Sequence, residues 1–122
     1  MTLLARLARS SLSRPVLGWI FAHMSFAIPV QRLRETATLV AFLHPVPIYP
    51  VHILIVPKKA IPSFAALRPA DAPFLVDVAA AVQSLVTELG LDAAGYRLIV
   101  NGGPYQDMPQ LHFHLVSGPP NS

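Results

Sequence analysis

Two histidines one residue apart, His112 and His114, stand in the segment Gln110-Leu111-His112-Phe113-His114-Leu115-Val116. Imidazole titrates near pH 6.5, so at neutral pH it is mostly the unprotonated base and can attack phosphorus. Attack gives a phosphoramidate, which divides one hard displacement into two easier ones. A second imidazole can hydrogen-bond the phosphate or the leaving group, and acid help of that kind is worth about 10²- to 10⁴-fold. The same pair also suits a zinc or copper site if His52 or His44 supplies a third ligand. The plainest alternative is a pair of ordinary polar-face residues.

The element that holds the pair is a strand. Side chains alternate faces along a strand, so Leu111, Phe113 and Leu115 share the core face, and Gln110, His112 and His114 share the other. Same-face neighbours lie about 6.5 to 7 Å apart, a spacing at which two imidazoles engage one phosphate-sized group without easily touching each other. The remaining elements follow from pattern. Val30 to Glu35 alternates weakly and reads as an edge strand, and Ala37 to Leu43 reads as a strand. His44-Pro45-Val46-Pro47-Ile48-Tyr49-Pro50 is too proline-rich for regular structure and forms a stiff loop. His52 to Val56 is rich in β-branched residues and reads as a central strand, with Lys58 and Lys59 solvated at its exit. Leu75, Val78, Val82, Leu85 and Leu89 recur at helical spacing between Asp71, a candidate N-cap, and Gly90, a stop. Tyr96 to Asn101 is a further strand, and a shorter helix is expected over Val16 to Phe26. This order predicts an α+β domain, a mainly antiparallel sheet of about five strands with one long and one short helix.

Composition narrows the function classes. The chain has 122 residues, enough for one domain, and 53% are apolar, too many for a disordered chain. It has no cysteine, which excludes disulfides, thiolate catalysis and cysteine-based zinc sites. The formal net charge of +3 comes from Arg6, Arg9 and Arg14, since Lys/Arg and Asp/Glu balance in the rest. The body therefore carries no basic surface of the kind nucleic acid requires, and no nucleic-acid partner is expected. Residues 1–15 read as a basic arm and residues 16–122 as the domain. The arm has the composition of a mitochondrial presequence, and Leu3, Leu4 and Leu7 would also suit contact with a membrane surface. The run from Val16 to Val30 is shorter than the roughly 20 residues of a bilayer span. A cytoplasmic location is the expectation, with mitochondrial or peripheral-membrane alternatives set by the arm.

The wider sequence resembles the histidine-triad (HIT) family. That family has a strand of form His-φ-His-φ-His-φ-φ, with φ apolar, and Gln110 to Val116 match it at six of seven positions. Pro50-Val51-His52-Ile53-Leu54-Ile55-Val56-Pro57-Lys58-Lys59 is similar to the family's Pro-x-His-φ-φ-φ-φ-Pro-Lys-Lys segment. Gly95-Tyr96-Arg97 to Asn101-Gly102-Gly103 looks like its Gly-Tyr-Arg strand ending in Asn-x-Gly. The resemblance covers about Ile28 to Gly118. It implies a five-stranded antiparallel sheet, a homodimer joining two sheets, and no metal or cofactor. It makes His112 the nucleophile of a nucleotidyl intermediate and sets His114 beside the phosphate or leaving group. His52 helps order the site, and Asn101 lies near a bound nucleotide.

Three positions depart from the pattern. Gln110 replaces the first histidine, and exchanging a charge-assisted bond for a neutral one loses about 1 to 2 kcal/mol, or roughly 5- to 30-fold. His44 stands where many members carry an aspartate that accepts from ribose hydroxyls. Asp107 lies near the place of a serine beside the phosphate, where a carboxylate repels phosphate or raises the pKa of a histidine. The resemblance implies a hydrolase or nucleotidyltransferase acting at the α-phosphate of a nucleotide conjugate, such as a phosphoramidate. The three departures motivate the alternative, a nucleotide- or phosphate-binding module with little turnover.

Overall fold

The computed structural model describes residues 32–121. Five strands, β1 (Arg32–Glu35), β2 (Leu39–Leu43), β3 (Val51–Pro57), β4 (Arg97–Val100) and β5 (Phe113–Ser117), form one sheet in the order β1-β2-β3-β5-β4. Every adjacent pair is antiparallel. Helix α1 (Ala72–Leu89) and the single turn α2 (Leu91–Ala94) lie between β3 and β4 in sequence. This is the α+β arrangement expected from the order of the elements.

The three inner strands explain why the chain reads as apolar runs. Leu39 and Ala41 of β2, Ile53 and Ile55 of β3, and Phe113 and Leu115 of β5 join Phe74, Val78, Val82 and Leu85 of α1 in the main core. On the opposite face Val40, Phe42, Leu54 and Val56 form a second buried cluster, with Met108 against it. Strands buried on both faces have no polar side to alternate with. The histidines therefore project from a face that is largely apolar.

Helix α1 begins with a proline within its first turn and ends at Gly90, whose φ of +66° is left-handed. Asp71 stands at the N-cap position, as expected, but makes no side-chain cap to α1. Its carboxylate accepts from the Arg68 amide at 2.9 Å and from Lys59 at 3.1 Å, closing the preceding turn instead. Lys58 and Lys59 are likewise not simply solvated: Lys58 pairs with Glu35 at 2.8 Å, and Lys59 with Asp71. Asp77 of α1 accepts from Thr36 and Thr38 in the β1–β2 turn, at 3.0 and 2.7 Å, which ties helix to sheet.

Two expectations shift. The strand predicted over Leu111 to Val116 starts at Phe113, so Gln110 lies in a bend and His112 in the irregular residues that lead into β5. Helix α2 has no counterpart in the pattern, because four residues restarting directly after Gly90 are too few to show a period. The helix expected over 16–26 lies outside the described residues. Edge strand β1 carries a register irregularity between Arg32 and Arg34.

Leu85 is fully buried under the sheet, whereas Leu75 on the same helix is 38% exposed. Leu85→Ala is expected to destabilise the fold by about 2–5 kcal/mol and Leu75→Ala by less than about 1 kcal/mol. Urea unfolding of the two variants tests this difference.

Candidate active site

The register of β3 against β5 assembles the site. His52 pairs with Val116, and His114 pairs with Leu54, so the two histidines are diagonal neighbours on one face. His52 Nε2 and His114 Nδ1 lie 2.9 Å apart. His44 follows β2, and its amide donates to the His52 carbonyl at 2.8 Å, which prolongs the β2–β3 ladder by one step. The His44 ring then packs 4.3 Å from the His52 ring, centroid to centroid. On the other flank the His112 ring meets His114 edge-on at 4.9 Å. The expected gap between His112 and His114 is thus too wide. His112 precedes the strand and its ring leans toward its neighbour, which pure strand alternation does not anticipate.

The hydrogen bonds assign the tautomers. His44 Nδ1 accepts from the Val46 amide at 3.0 Å, and His52 Nδ1 accepts from the Ile48 amide at 3.2 Å. An imidazole nitrogen that accepts carries no proton, so neutral His52 holds its proton on Nε2. It therefore donates from Nε2 to His114 Nδ1, and the proton of neutral His114 lies on Nε2. His112 has the opposite arrangement: Nδ1–H donates to the Gln110 carbonyl at 2.8 Å, which puts the lone pair on Nε2. Neighbouring rings thus present one lone pair and one N–H. Positions of protons follow here from the acceptors and donors around them.

Burial keeps all four rings neutral. It is the main cause lowering the pKa of His52 to about 4, with the nearby His44 charge adding to it. It lowers His114 to about 3, with help from repulsion by His112, His52 and His44. His44 is lowered by burial and by His112. His112 is lowered by burial, against opposing effects of its bond to the Gln110 carbonyl and of the Asp107 charge. The expected influence of Asp107 is therefore present, but desolvation outweighs it, and His112 remains unprotonated and able to attack at neutral pH.

The other sequence-derived residues fall into place around this row. Gln110 is 1% exposed, and its side-chain amide donates to the Lys59 carbonyl at 3.3 Å, away from the role of a mobile donor. Asn101 is half-buried one step beyond the Val100–Phe113 pair, at the level of His112. Asp107 is exposed in the loop before β5. Among the described residues no three His, Asp or Glu side chains form a metal-binding set. The metal reading of His52, His112 and His114 meets a direct obstacle, because His52 and His114 turn facing nitrogens on each other. A shallow concavity between β1 and α1, lined by Arg34, Ser84 and Glu88 among others, contains none of the histidines.

Sequence reasoning missed the loop's part in the site. Tyr49 packs edge-on against His52 at 5.4 Å. With Pro45, Pro47 and Pro50 lacking N–H groups, residues 45–50 retain amides only at Val46, Ile48 and Tyr49. Two of these three hold imidazole nitrogens. The proline spacing was the available signal. Gln106 also braces the loop before β5, donating to the carbonyls of Pro62 at 2.7 Å and Met108 at 2.9 Å.

An antiparallel five-stranded sheet that bears His52 and His114 on adjacent central strands, with His112 just ahead of β5, defines an α+β domain with a row of histidines on one sheet face. The HIT domain model matches residues 25–121, and the chain belongs to the HIT family. A HIT-like protein of Chlamydia pneumoniae is 35% identical over 95 residues, 76% of this chain and 86% of that protein. A HIT family hydrolase from Legionella pneumophila superposes with a TM-score of 0.73 at 30% identity, covering 84% of this chain and 92% of its own. The histidine triad nucleotide-binding protein of Candida albicans superposes with a TM-score of 0.69 at 31% identity, covering 79% of this chain and 71% of its own.

The lowered pKa values make the fold acid-sensitive. Above the unfolded histidine pKa, near 6.5, both states are neutral and these rings leave stability unchanged with pH. Below it the unfolded chain binds protons that the folded chain refuses, so stability falls as pH drops from about 6.5 toward the folded values of about 4 for His52 and about 3 for His114. Replacing either ring by glutamine removes its share of this loss. Thermal midpoints measured from pH 7 to pH 4 should therefore decline less steeply in His114→Gln than in the parent chain, and an identical slope would contradict the assignment.

Proposed function

We propose that this chain is a hydrolase that splits nucleotide conjugates at the α-phosphate through a nucleotidyl group carried transiently on His112. The observation that carries this reading is the bond from His112 Nδ1 to the Gln110 carbonyl. It fixes the ring and directs the Nε2 lone pair as nucleophile. Attack forms the P–Nε2 bond, and the P–O or P–N bond to the leaving group breaks, the leaving atom departing with the electron pair. His114 Nε2–H donates a hydrogen bond to that atom as charge builds on it, and the solvent protonates it. With a pKa near 3, His114 acts as a neutral donor rather than as a stored acid. Water then attacks phosphorus, the P–Nε2 bond breaks, the lone pair returns to His112, and the water proton leaves to solvent. The nucleotide as substrate class is supported by family membership and by the Candida relative's description as nucleotide-binding.

A second reading has its own support. Gln110 neither titrates nor points its amide away from Lys59, and a site lacking the first imidazole suits a nucleotide-binding module with slow turnover. Incubation with a nucleoside phosphoramidate or a dinucleoside polyphosphate separates the two. The enzyme reading expects an acid-labile nucleotidyl adduct on the peptide bearing His112, seen by mass spectrometry, and a loss of about 10³-fold or more in turnover for His112→Ala. Nucleotide binding without adduct or turnover would leave only the binding module.

We also infer a homodimer. Strand β4 is a sheet edge with the sequence Arg97-Leu98-Ile99-Val100, and Leu98 is 42% exposed beside Tyr96 at 44%. An apolar edge of this kind invites a second copy. Leu98→Lys is expected to lower the solution mass measured by light scattering to that of the monomer, and a parent chain that is already monomeric at every concentration would refute the inference.

A further inference from the structure

The chain of hydrogen bonds through the histidines continues past His52. Its Nδ1 accepts from the Ile48 amide at 3.2 Å, and that N–H belongs to the Pro47–Ile48 peptide group. The oxygen of the same peptide group, on Pro47, accepts from Asn121 Nδ2 at 3.3 Å. The next carbonyl, on Ile48, accepts from the Asn121 backbone amide at 2.7 Å. The segment after β5 thus grips two successive carbonyls of the proline loop. A third contact lies at its base. Gly118, at φ +85°, passes so close to Pro50 that a Cβ would meet Pro50 Cγ at 2.7 Å.

Among the described residues, the loop's own side chains add little to this grip on the peptide plane. Val46 is 62% exposed and Ile48 53% exposed, so side-chain packing of the loop is thin. The orientation of the plane nevertheless decides the polarity of the site. With the Ile48 N–H on His52 Nδ1, the His52 proton must sit on Nε2, and His114 must present Nε2–H outward. If the peptide rotates away, His52 can take the other tautomer. Its Nε2 then becomes an acceptor, the His114 proton moves to Nδ1 to meet it, and His114 shows a lone pair where the donor stood. A peptide group whose oxygen already accepts a hydrogen bond is also the stronger N–H donor.

We propose that Asn121 is a positioning residue that acts on His114 through the Pro47–Ile48 peptide and His52, holding the relay in the polarity that leaves N–H on His114 Nε2. The catalytic consequence rests on the hydrolase reading given above; the effect on tautomers does not. Loss of the strap weakens the hydrogen bond to the leaving atom, which matters most where that atom carries the most negative charge as the bond breaks.

The test uses the full chain with ¹⁵N-labelled histidine. In the parent at pH 7, His52 and His114 should both appear as Nε2–H tautomers. Asn121→Asp, which sets an acceptor against the Pro47 carbonyl, and Gly118→Ala, which drives the segment off Pro50, should each shift part of the His52 population to Nδ1–H. In steady-state assays both variants should lose about 3- to 10-fold in kcat on conjugates with alkoxide or alkylamine leaving groups, the worth of one hydrogen bond. On a nitrophenyl ester the loss should stay within about 2-fold, because that leaving group needs little help. An unchanged His52 tautomer in both variants overturns the proposal. Equal losses across all leaving groups overturn the claim that Asn121 acts through His114. If no conjugate is turned over by the parent chain, the hydrolase reading fails, and the nitrogen spectra alone decide for or against the strap.

Discussion

The 2.9 Å hydrogen bond from His52 to His114 is the contact on which the site depends. It crosses from β3 to β5, so it exists only when these strands pair in the observed register. A slip by one residue would send His114 to the helix face and Phe113 out of the core. The apolar partners on both faces make that slip expensive, with Ile53, Ile55, Phe113 and Leu115 all buried against α1. Packing of the core thus fixes the relative place of two imidazoles to within hydrogen-bonding distance. The chemistry inherits its precision from the hydrophobic register.

The same apolar surroundings set the protonation of the row. Four imidazoles in a row, each close to the next, would repel strongly if charged, and burial alone disfavours the charge before repulsion is counted. Neutral rings are asymmetric, with one donor and one acceptor each, so a row of them has a direction. Backbone groups supply that direction at both ends: amides of the proline loop at His44 and His52, and the Gln110 carbonyl at His112. A row of charged rings would offer only donors and would have no nucleophile. Desolvation is therefore the condition for one lone pair and one N–H to stand side by side.

Much of this was legible in the sequence. The alternation of Leu111, Phe113 and Leu115 with His112 and His114 placed the first set in the core and the second on the opposite side, and the periodic leucines and valines from Leu75 to Leu89 marked α1. His52 was recognisable from the segment running to Lys59. The close approach of the His112 and His114 rings was not legible, because His112 lies outside the regular strand and strand spacing does not govern it. The partners of Asp71, Lys58 and Lys59 were hidden for a different reason. They come from residues brought near by the fold, and Asp71 closes a turn that has no periodic signature. The roles of Ile48 and Asn121 reside in backbone groups and in a tail without pattern, where side-chain chemistry offers no hint.

The two margins of the sheet are unlike, and that difference has a consequence for assembly. Strand β1 has an irregular register and carries Arg32, Arg34 and Glu35 on four residues, features that discourage strand addition. Strand β4 has a single charge, on Arg97, and is otherwise apolar. A sheet that can grow from only one side is self-limiting: in the homodimer proposed above, two copies meeting at β4 would use up each other's open margin and expose only blunted ones. Such a pair would close about a two-fold axis and give no foothold for an open-ended filament.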